Sequence, residues 1–266
     1  MDKKLDQLKE WFKNKDSVLV AFSGGVDSAL LLKAAQDVLG SRVLAVTADS
    51  PLNTPEEKES AVNLAKHLEA EHVIFELNDL DNPLVRKNPE DRCYHCKKAR
   101  FQAMLNLAKE RNIAVVVEGS NVDDLKDYRP GLKAVQELGI ASPLEEVGLN
   151  KNEIRKLARE LGLEVWNKPS EPCLATRIPF HTELTAAKLA RVMAAEKYLK
   201  QELSLNVVRV RDHNGLARIE VDENSFTKII ELKNSIHEML VAQLGFKYTA
   251  LDLFGYRTGS MNQFGG

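Results

Sequence analysis

The chain has 266 residues, 44% hydrophobic and 29% charged, which is the composition of a globular protein and excludes a disordered or fibrous one. Its 37 Lys and Arg residues against 39 Asp and Glu residues leave a net charge of −2, which excludes a global positive field for binding nucleic acid. No apolar run approaches the roughly 20 residues that cross a bilayer, and the N-terminus lacks an apolar signal-peptide centre. We therefore expect a cytoplasmic protein with neither a nucleic-acid nor a membrane partner.

The first two thirds of the chain alternate short apolar runs with segments of helical periodicity, the pattern of a parallel sheet wrapped by helices. The predicted helices span residues 5–12, 28–38, 55–68, 96–109 and 151–161. The predicted strands span residues 17–22, 43–48, 73–75 and 113–117, with 140–142 as a weaker fifth. The predicted fold class is α/β, with a Rossmann-like parallel sheet.

The last third of the chain predicts a smaller α+β unit. Residues 167–180 contain three prolines and no regular period, which is typical of an ordered linker. Beyond it we predict a helix at 186–202, paired strands at 207–211 and 216–221, a helix at 225–244 and a strand at 248–253. The predicted organisation is an α/β domain at 1–166, a cysteine-bearing linker at 167–185, and a unit for substrate binding and oligomerisation at 186–266.

The most informative segment reads SGGVDS and stands directly between the first predicted strand and the helix that follows it. Its glycines let the backbone approach a charged ligand, its serines add hydroxyl donors, and the free N–H groups of the helix start favour an anion. It is neither a Walker A loop nor a dinucleotide fingerprint, because the glycine and lysine spacings differ. We predict a phosphate-binding loop made of Ser23, Gly24, Gly25, Val26, Asp27 and Ser28.

The three cysteines are an odd number, which fits a disulfide framework poorly and favours thiolate chemistry or metal ligation. Cys93 and Cys96 form a Cys-x2-Cys pair that we place immediately before a helix, and Cys173 lies in the proline-bounded linker. Three interpretations stay open: a 4Fe–4S cluster with one labile site, a redox pair with a sulfur-carrying thiol, and a zinc or merely buried set. His95 either caps the helix or adds a fourth ligand.

The string SGGVDS resembles the PP-loop of the N-type ATP pyrophosphatases, which include GMP synthetase, NAD synthetase and tRNA-thiolating enzymes and share an adenine nucleotide alpha hydrolase-like fold. The resemblance implies that this loop binds the pyrophosphate that leaves ATP. It also implies nucleotide contacts in TADS, at the end of the second predicted strand, and in GSNVDD, after the fourth. Strand ends of this kind carry the ligands of open parallel sheets. The residues implied there are Ala48, Ser50, Gly119 and Asp124. Asp27 and Asp124 are predicted Mg²⁺ ligands, with helix capping as the alternative.

A closer resemblance rests on RCYHCKK, DYRPGLKA, PCLATRIP, MAAEKYL, VRVR and YRTGSMN, which together cover almost the whole chain. These motifs are similar to those of the LarE family, sulfur transferases that make the nickel-pincer nucleotide cofactor of lactate racemase. The resemblance implies adenylation of the carboxylates of a pyridinium dicarboxylic acid mononucleotide and their conversion to thiocarboxylates. It also implies a homo-oligomer, since the family forms hexamers.

The resemblance also distinguishes two ways of supplying sulfur. In one, a single cysteine at the position of Cys173 gives up its own sulfur, and in the other three cysteines hold a 4Fe–4S cluster. The presence of all three cysteines implies the second way. The substrate's phosphate and carboxylates require cations, for which we predict Arg177, Arg209 and Arg211, with ion pairs on a solvated face as the alternative.

Two other functions remain open at this level. One is another PP-loop enzyme, either a tRNA thiolase or an amide-forming ligase, which shares the same loop. The other is a non-catalytic ATP-binding regulatory module, for which the cysteines are incidental. Glu196, Tyr128 and Arg129 lie in family-like motifs without a role that the sequence assigns.

Overall fold

A four-stranded parallel sheet forms the centre of the first of two units in the computed structural model of the chain. The structure describes residues 3–126, 130–169, 172–205, 207–257 and 259–261. The first unit comprises residues 1–78 and 91–171, and the second comprises 79–90 and 172–266. The predicted domain boundaries at residues 166 and 185 stay a prediction, because a compact unit is not by itself an independently folding domain.

The sheet of the first unit has the strand order β3-β2-β1-β4, and all of its paired strands are parallel. The strands are β1 (Val18–Ala21), β2 (Val43–Asp49), β3 (Glu71–Glu76) and β4 (Val115–Val117). The α/β prediction is confirmed. The weaker fifth strand reduces to one isolated bridge between Val117 and Ala141, because the chain enters a new helix at Pro143.

Helices flank this sheet, and two of them begin with a complete capping box. Thr54 and Asn150 each accept a hydrogen bond from the backbone of the glutamate three residues later, and that glutamate accepts one from the backbone of the capping residue. The helices are α1 (Lys3–Lys13), α2 (Val26–Leu39), α3 (Pro55–His67), α4 (Pro83–Arg86, in the second unit), α5 (Arg92–Glu110), α6 (Gly131–Glu137), α7 (Pro143–Glu146) and α8 (Lys151–Glu160).

Helix α5 begins four residues earlier than predicted, so Cys93 and Cys96 lie within its first turns and not before it. The prediction started where the apolar period starts, but the backbone carbonyl of Asp91 already accepts bonds from the N–H groups of Tyr94 and His95. A contact of 3.2 Å between His95 Nε2 and Asp91 Oδ2 supports the same turn. His95 therefore packs at the helix start.

Both faces of the sheet are covered by apolar side chains. Val18 and Val20 of β1 point into one buried cluster with α1, α2 and α8, whereas Leu19 points into a second with Phe101 and Met104 of α5. The alternation follows the two-residue period of a strand. It fixes α2 and α5 on opposite faces, with their first residues near the carboxyl ends of the strands.

The second unit is built around a three-stranded sheet in the order β5-β6-β7. Strands β5 (Arg209–His213) and β6 (Leu216–Glu220) are antiparallel, and β7 (Tyr248–Leu251) is parallel to β6. Helix α9 (Ala186–Leu203) precedes this sheet in the chain. The predicted single helix at 225–244 is wrong, since the chain there forms α10 (Phe226–Glu231), α11 (Lys233–His237) and a π-helical segment (Glu238–Gln243). The buried residues Ile229, Ile236 and Leu240 keep a helical spacing across these breaks, which hides the breaks in the sequence.

Candidate active site

The predicted phosphate loop is a tight turn from the end of β1 into α2. Gly24 has a φ of +70°, and a Cβ there would lie 2.8 Å from the Cα of Ala61, so only glycine fits. Gly25 is the residue before the helix and leaves its first N–H groups open to an anion. The side chain of Val26 is buried in the core, so only its backbone faces a ligand.

The two serines of the loop have different positions. Ser28 is buried and donates to the carbonyl of Gly25 at 3.1 Å, which braces the turn. Ser23 is exposed, and its hydroxyl lies 3.2 Å from that of Ser28 and accepts from the N–H of Gly25 at 3.4 Å. Of the two hydroxyls, that of Ser23 is the one open to a bound phosphate.

The end of β2 lies beside this loop. The N–H of Phe22 donates to the carbonyl of Val46, so the two parallel strands end at the same edge. Ala48 is half-buried there, and the buried Ser50 accepts a hydrogen bond from the N–H of Leu52 at 3.1 Å. The structure therefore places these two predicted nucleotide contacts at the loop edge.

The end of β4 packs directly on the start of α2. A Cβ at Gly119 would lie 3.2 Å from Asp27 Cβ, so this residue must also be small. The Asn121 side chain donates to Asp27 at 3.4 Å, and the Asn121 N–H donates to Asp124 at 3.1 Å. Asn121 thus joins the two aspartates that the sequence predicts as magnesium ligands.

The surroundings of Asp27 and Asp124 suit a cation. Burial raises the pKa of Glu145, and the nearby carboxylates Glu118 and Asp124 add to the rise. Within the described part of the chain, no group of three or more His, Cys, Asp or Glu side chains could hold a metal ion. The two carboxylates fit Mg²⁺ as hard oxygen donors, with the remaining ligands coming from phosphate and water.

Lys151 is a site residue that the sequence reasoning missed. It is the first residue of α8, and its ammonium group forms an ion pair with Asp27 while its N–H donates to Asp123 at 2.9 Å. A lysine at a helix start carries no sequence signal for this role. Only the packing of α8 against α2 brings its charge to the phosphate loop.

The cysteine-bearing end of α5 is tied to the same edge of the sheet. Lys97 Nζ lies 3.4 Å from Glu118 Oε2, at the end of β4, and Ser142 Oγ donates to the other carboxylate oxygen at 2.7 Å. Arg100 donates to Asn53, which follows β2, at 3.2 Å. These contacts bring the first turn of α5 to the edge that carries the phosphate loop.

Cys93 and Cys96 form no disulfide and lie three residues apart on one face of α5. Cys93 is exposed and Cys96 is half-buried, and the guanidinium of Arg92 donates to Cys93 Sγ at 3.8 Å. Two soft donors with this spacing and a cation beside them fit an iron–sulfur cluster, a metal or a redox pair equally. The donor set itself does not choose among them.

Cys173, in the second unit, is also free and half-buried. It precedes a short 3-10 helix (Leu174–Arg177), and its carbonyl accepts from the backbone of Thr176 at 3.0 Å and from the Thr176 hydroxyl at 2.8 Å. The cysteine that the sequence singles out therefore stands at the head of a tightly closed turn, the Cys173 turn (residues 172–177).

The three predicted arginines of the second unit are all buried. Arg177 pairs with Glu196 at 2.9 Å, and Arg211 pairs with Glu220 at 2.8 Å. The Arg209 guanidinium lies 5.6 Å from the ring centre of Tyr256. The ion pairs are buried rather than on a solvated face.

Arg218 extends this cluster and was not predicted. It contacts Glu220 at 3.0 Å and Asp252 at 3.3 Å, and Arg257 approaches Asp252 at 3.7 Å. Arg211 also contacts Glu220, so these guanidinium groups share two carboxylates. Tyr128 and Arg129 lie outside the described residues.

A glycine turn between the first strand of a parallel sheet and the next helix, with aspartates at the neighbouring strand ends, defines a nucleotide-binding α/β protein of the PP-loop class. In agreement, the family model described as a PP-loop domain matches residues 1–128. In the described residues, no helix is both long and apolar enough to span a membrane.

Relatives extend the likeness beyond this domain. The chain is 43% identical to pyridinium-3,5-bisthiocarboxylic acid mononucleotide synthase of Lactiplantibacillus plantarum over 94% of this chain and 90% of that protein. It is 42% identical to a protein of Synechocystis over 99% of this chain and 98% of that one, and 24% identical to a glutamine-hydrolyzing GMP synthase chain of Archaeoglobus fulgidus over 75% and 69%. The chain belongs to the LarE family, that of the Lactiplantibacillus synthase.

Proposed function

We propose that this chain is an ATP-dependent sulfur transferase that adenylates the carboxylates of pyridinium-3,5-biscarboxylic acid mononucleotide and converts them to thiocarboxylates. The observation that carries the proposal is the contact between Lys97 and Glu118, which ties the Cys-x2-Cys turn to the edge of the sheet that bears the phosphate loop. The name of the Lactiplantibacillus relative supports this substrate and product. Nickel-pincer nucleotide synthesis is the pathway that consumes such a product in the family.

Activation comes first because a carboxylate would have to expel oxide, whereas an acyl-adenylate expels AMP. The phosphate loop binds the departing pyrophosphate through the N–H groups at the start of α2 and through the hydroxyl of Ser23. Lys151 adds a positive charge beside Asp27. Mg²⁺, held by Asp27 and Asp124, would neutralise charge on the phosphates.

Sulfur delivery falls to the cysteines. We propose that Cys93, Cys96 and Cys173 together hold a 4Fe–4S cluster, whose open site would present sulfide to the activated carbonyl. The thiols of Cys93 and Cys96 share one helix face, as ligation of one cluster by both requires. A redox pair with Cys173 as the sulfur carrier is the second candidate, and it is supported by the three cysteines forming no disulfide.

The substrate's anionic groups need cations, and we propose Arg209 and Arg211 for them. Both guanidinium groups come from β5, two residues apart, and both are buried, where an ion pair with phosphate is strong. Arg177 was predicted for the same task, but its contacts with Glu196 and the Cys173 turn suit a different one. We propose that the protein acts in the cytoplasm and that its active form is a homo-oligomer.

The alternatives make different products. A tRNA thiolase or an amide-forming ligase would also release pyrophosphate, but only with its own acceptor. A regulatory module would bind ATP and release no pyrophosphate. The experiment therefore combines pyrophosphate release with mass-spectrometric detection of thiocarboxylate, using the pyridinium biscarboxylate mononucleotide, ATP, Mg²⁺ and sulfide under anaerobic conditions. The proposed function requires both products, and pyrophosphate without thiocarboxylate would contradict it.

The cluster is tested separately by iron and acid-labile sulfide analysis of the anaerobically purified protein. Cys93→Ala, Cys96→Ala and Cys173→Ala are each expected to remove the iron and stop thiocarboxylate formation, while pyrophosphate release continues. If Cys173→Ala alone stops sulfur transfer and the wild type holds no iron, the sulfur-carrying thiol replaces the cluster.

A further inference from the structure

The Cys173 turn is held by an arginine that lies four residues after the cysteine. Arg177 Nη1 donates to the carbonyl of Pro172 at 2.5 Å and to that of Cys173 at 3.2 Å. The same nitrogen contacts Thr176 Oγ1 at 3.0 Å. The N–H and the hydroxyl of Thr176 donate to the same Cys173 carbonyl. This oxygen therefore accepts from three donors, one more than its two lone pairs.

A buried glutamate fixes this arginine. Glu196 of α9 accepts from Arg177 Nε at 2.9 Å and from Nη2 at 3.2 Å, which is the two-bond fork of a strong ion pair. The two side chains are only 4% and 7% exposed. Glu196 also accepts from the N–H of Val210, so one carboxylate joins α9, β5 and the Cys173 turn.

We propose that Arg177 and Glu196 form a positioning pair that sets the backbone direction of Cys173 and thereby aims its sulfur. The pair gives Glu196 the role that its sequence motif leaves open. It also assigns Arg177 a positioning role in place of the substrate-binding role predicted from the sequence. Arg211 also supports this turn, because its Nη1 donates to the carbonyl of Thr176 at 3.1 Å.

Burial and direction together explain how this pair acts. The buried guanidinium of Arg177 requires a carboxylate partner, which is Glu196. Because Glu196 is itself held by α9 and β5, Arg177 stays in place and restrains the Cys173 turn. The Cys173 sulfur belongs to the same residue as a carbonyl held in this way. A displacement of about 1 Å at a reacting atom costs about 100-fold in rate, so such a support acts on sulfur transfer without touching substrate.

This inference rests on the proposed function, and its test is built to separate the two. The first measurement is the alkylation rate of Cys173 by iodoacetamide, followed by intact mass in a Cys93→Ala/Cys96→Ala background, which requires neither substrate nor cluster. The second is the single-turnover rate of thiocarboxylate formation, set against pyrophosphate release. The variants are Glu196→Gln, Arg177→Lys and Thr176→Val, the last of which keeps the buried ion pair.

The matched control is Arg191→Lys. Arg191 also lies on α9 and pairs with a buried carboxylate of β5, Asp212, but its other contacts are with Gly245 and Phe246, and it has no assigned role in the reaction. We expect the three test variants to change Cys173 alkylation by several-fold and to slow sulfur transfer about 10-fold to 100-fold, with pyrophosphate release within about 2-fold of wild type. The control is expected to leave both rates unchanged.

Two results would overturn the inference. One is an alkylation rate in Glu196→Gln and Thr176→Val equal to that of Arg191→Lys, and the other is an equal loss of pyrophosphate release and sulfur transfer. Should Arg177→Lys and Glu196→Gln fail to fold, Thr176→Val decides alone by the same criteria. If the wild type makes no thiocarboxylate but the variants still change the alkylation rate of Cys173, the proposed function is wrong. The positioning pair is then still supported.

Discussion

Lys151 and Asp27 form an ion pair although they are 124 positions apart in sequence and lie at the starts of two different helices. The pair puts an ammonium group beside the phosphate loop and engages one of the two carboxylates proposed to hold Mg²⁺. We therefore expect Lys151 to turn from Asp27 toward phosphate when ATP and Mg²⁺ bind.

The first prediction follows from this pair. Lys151→Met is expected to lower kcat/KM for pyrophosphate release about 100-fold, because a positive charge at the developing pyrophosphate is lost. The control is Lys156→Met on the same helix, whose side chain is mostly exposed and pairs with nearby Glu160. Equal rates in the two variants would show that Lys151 has no part in adenylation.

The second prediction concerns the shape of the phosphate loop. Gly24→Ala introduces a left-handed alanine at a cost of about 1–2 kcal/mol and a clash with Ala61 that adds about 1–3 kcal/mol. Gly162 has nearly the same φ, +71°, but open space around it, so Gly162→Ala should carry only the first cost. Urea unfolding measures the free energy of unfolding of both variants, and ATP titration measures their affinity for ATP. Similar losses in the two variants would contradict the clash.

The third prediction is a pH effect from a half-buried histidine, His72. Burial lowers the pKa of His72, whose Nε2 lies 2.8 Å from Thr47 Oγ1. The unfolded chain takes up this proton near pH 6.5, before the folded protein does, so stability should fall as the pH drops below about 6.5 and level off below the folded-state pKa. His72→Gln should flatten this part of the profile.

The control for the histidine is His67→Gln, since His67 is exposed on α3. Unfolding free energies measured between about pH 7.5 and pH 5 compare the slopes. If the His72→Gln protein loses stability as steeply as the wild type over this range, another group causes the dependence.

The fourth prediction concerns the arginine cluster of the second unit. Glu220 is fully buried, so Glu220→Gln removes the carboxylate that pairs with the buried Arg211 and one of the two carboxylates that the half-buried Arg218 contacts. We expect a loss of about 3–5 kcal/mol in the free energy of unfolding. Glu71→Gln breaks the exposed pair with Arg111 and should cost at most about 1 kcal/mol, and comparable losses in the two would contradict the role of burial.

The sequence predicted most of what depends on local order. Strand β2 and helix α3 begin at the expected residues, because a short buried apolar run and a Pro after a capping Thr are local signals. The start of α5 was missed, since RCYHC has no apolar period and its turn is closed by backbone bonds to Asp91. The breaks after Ser225 were missed for the opposite reason, because the apolar spacing there looks continuous.

The sequence alone determined the glycine turn between strand and helix, the three thiols and the α/β order of the chain, since each depends on residue type and near neighbours. The tertiary structure decided which distant charges meet: Lys151 with Asp27, Lys97 with Glu118, and Arg177 with Glu196. These ion pairs form because of how the helices pack on the sheets. The identity of a charged side chain does not specify which distant residue it will contact. Burial makes the pair of Arg177 and Glu196 a fixed support, because a desolvated charge holds its counter-charge far more firmly than a solvated one.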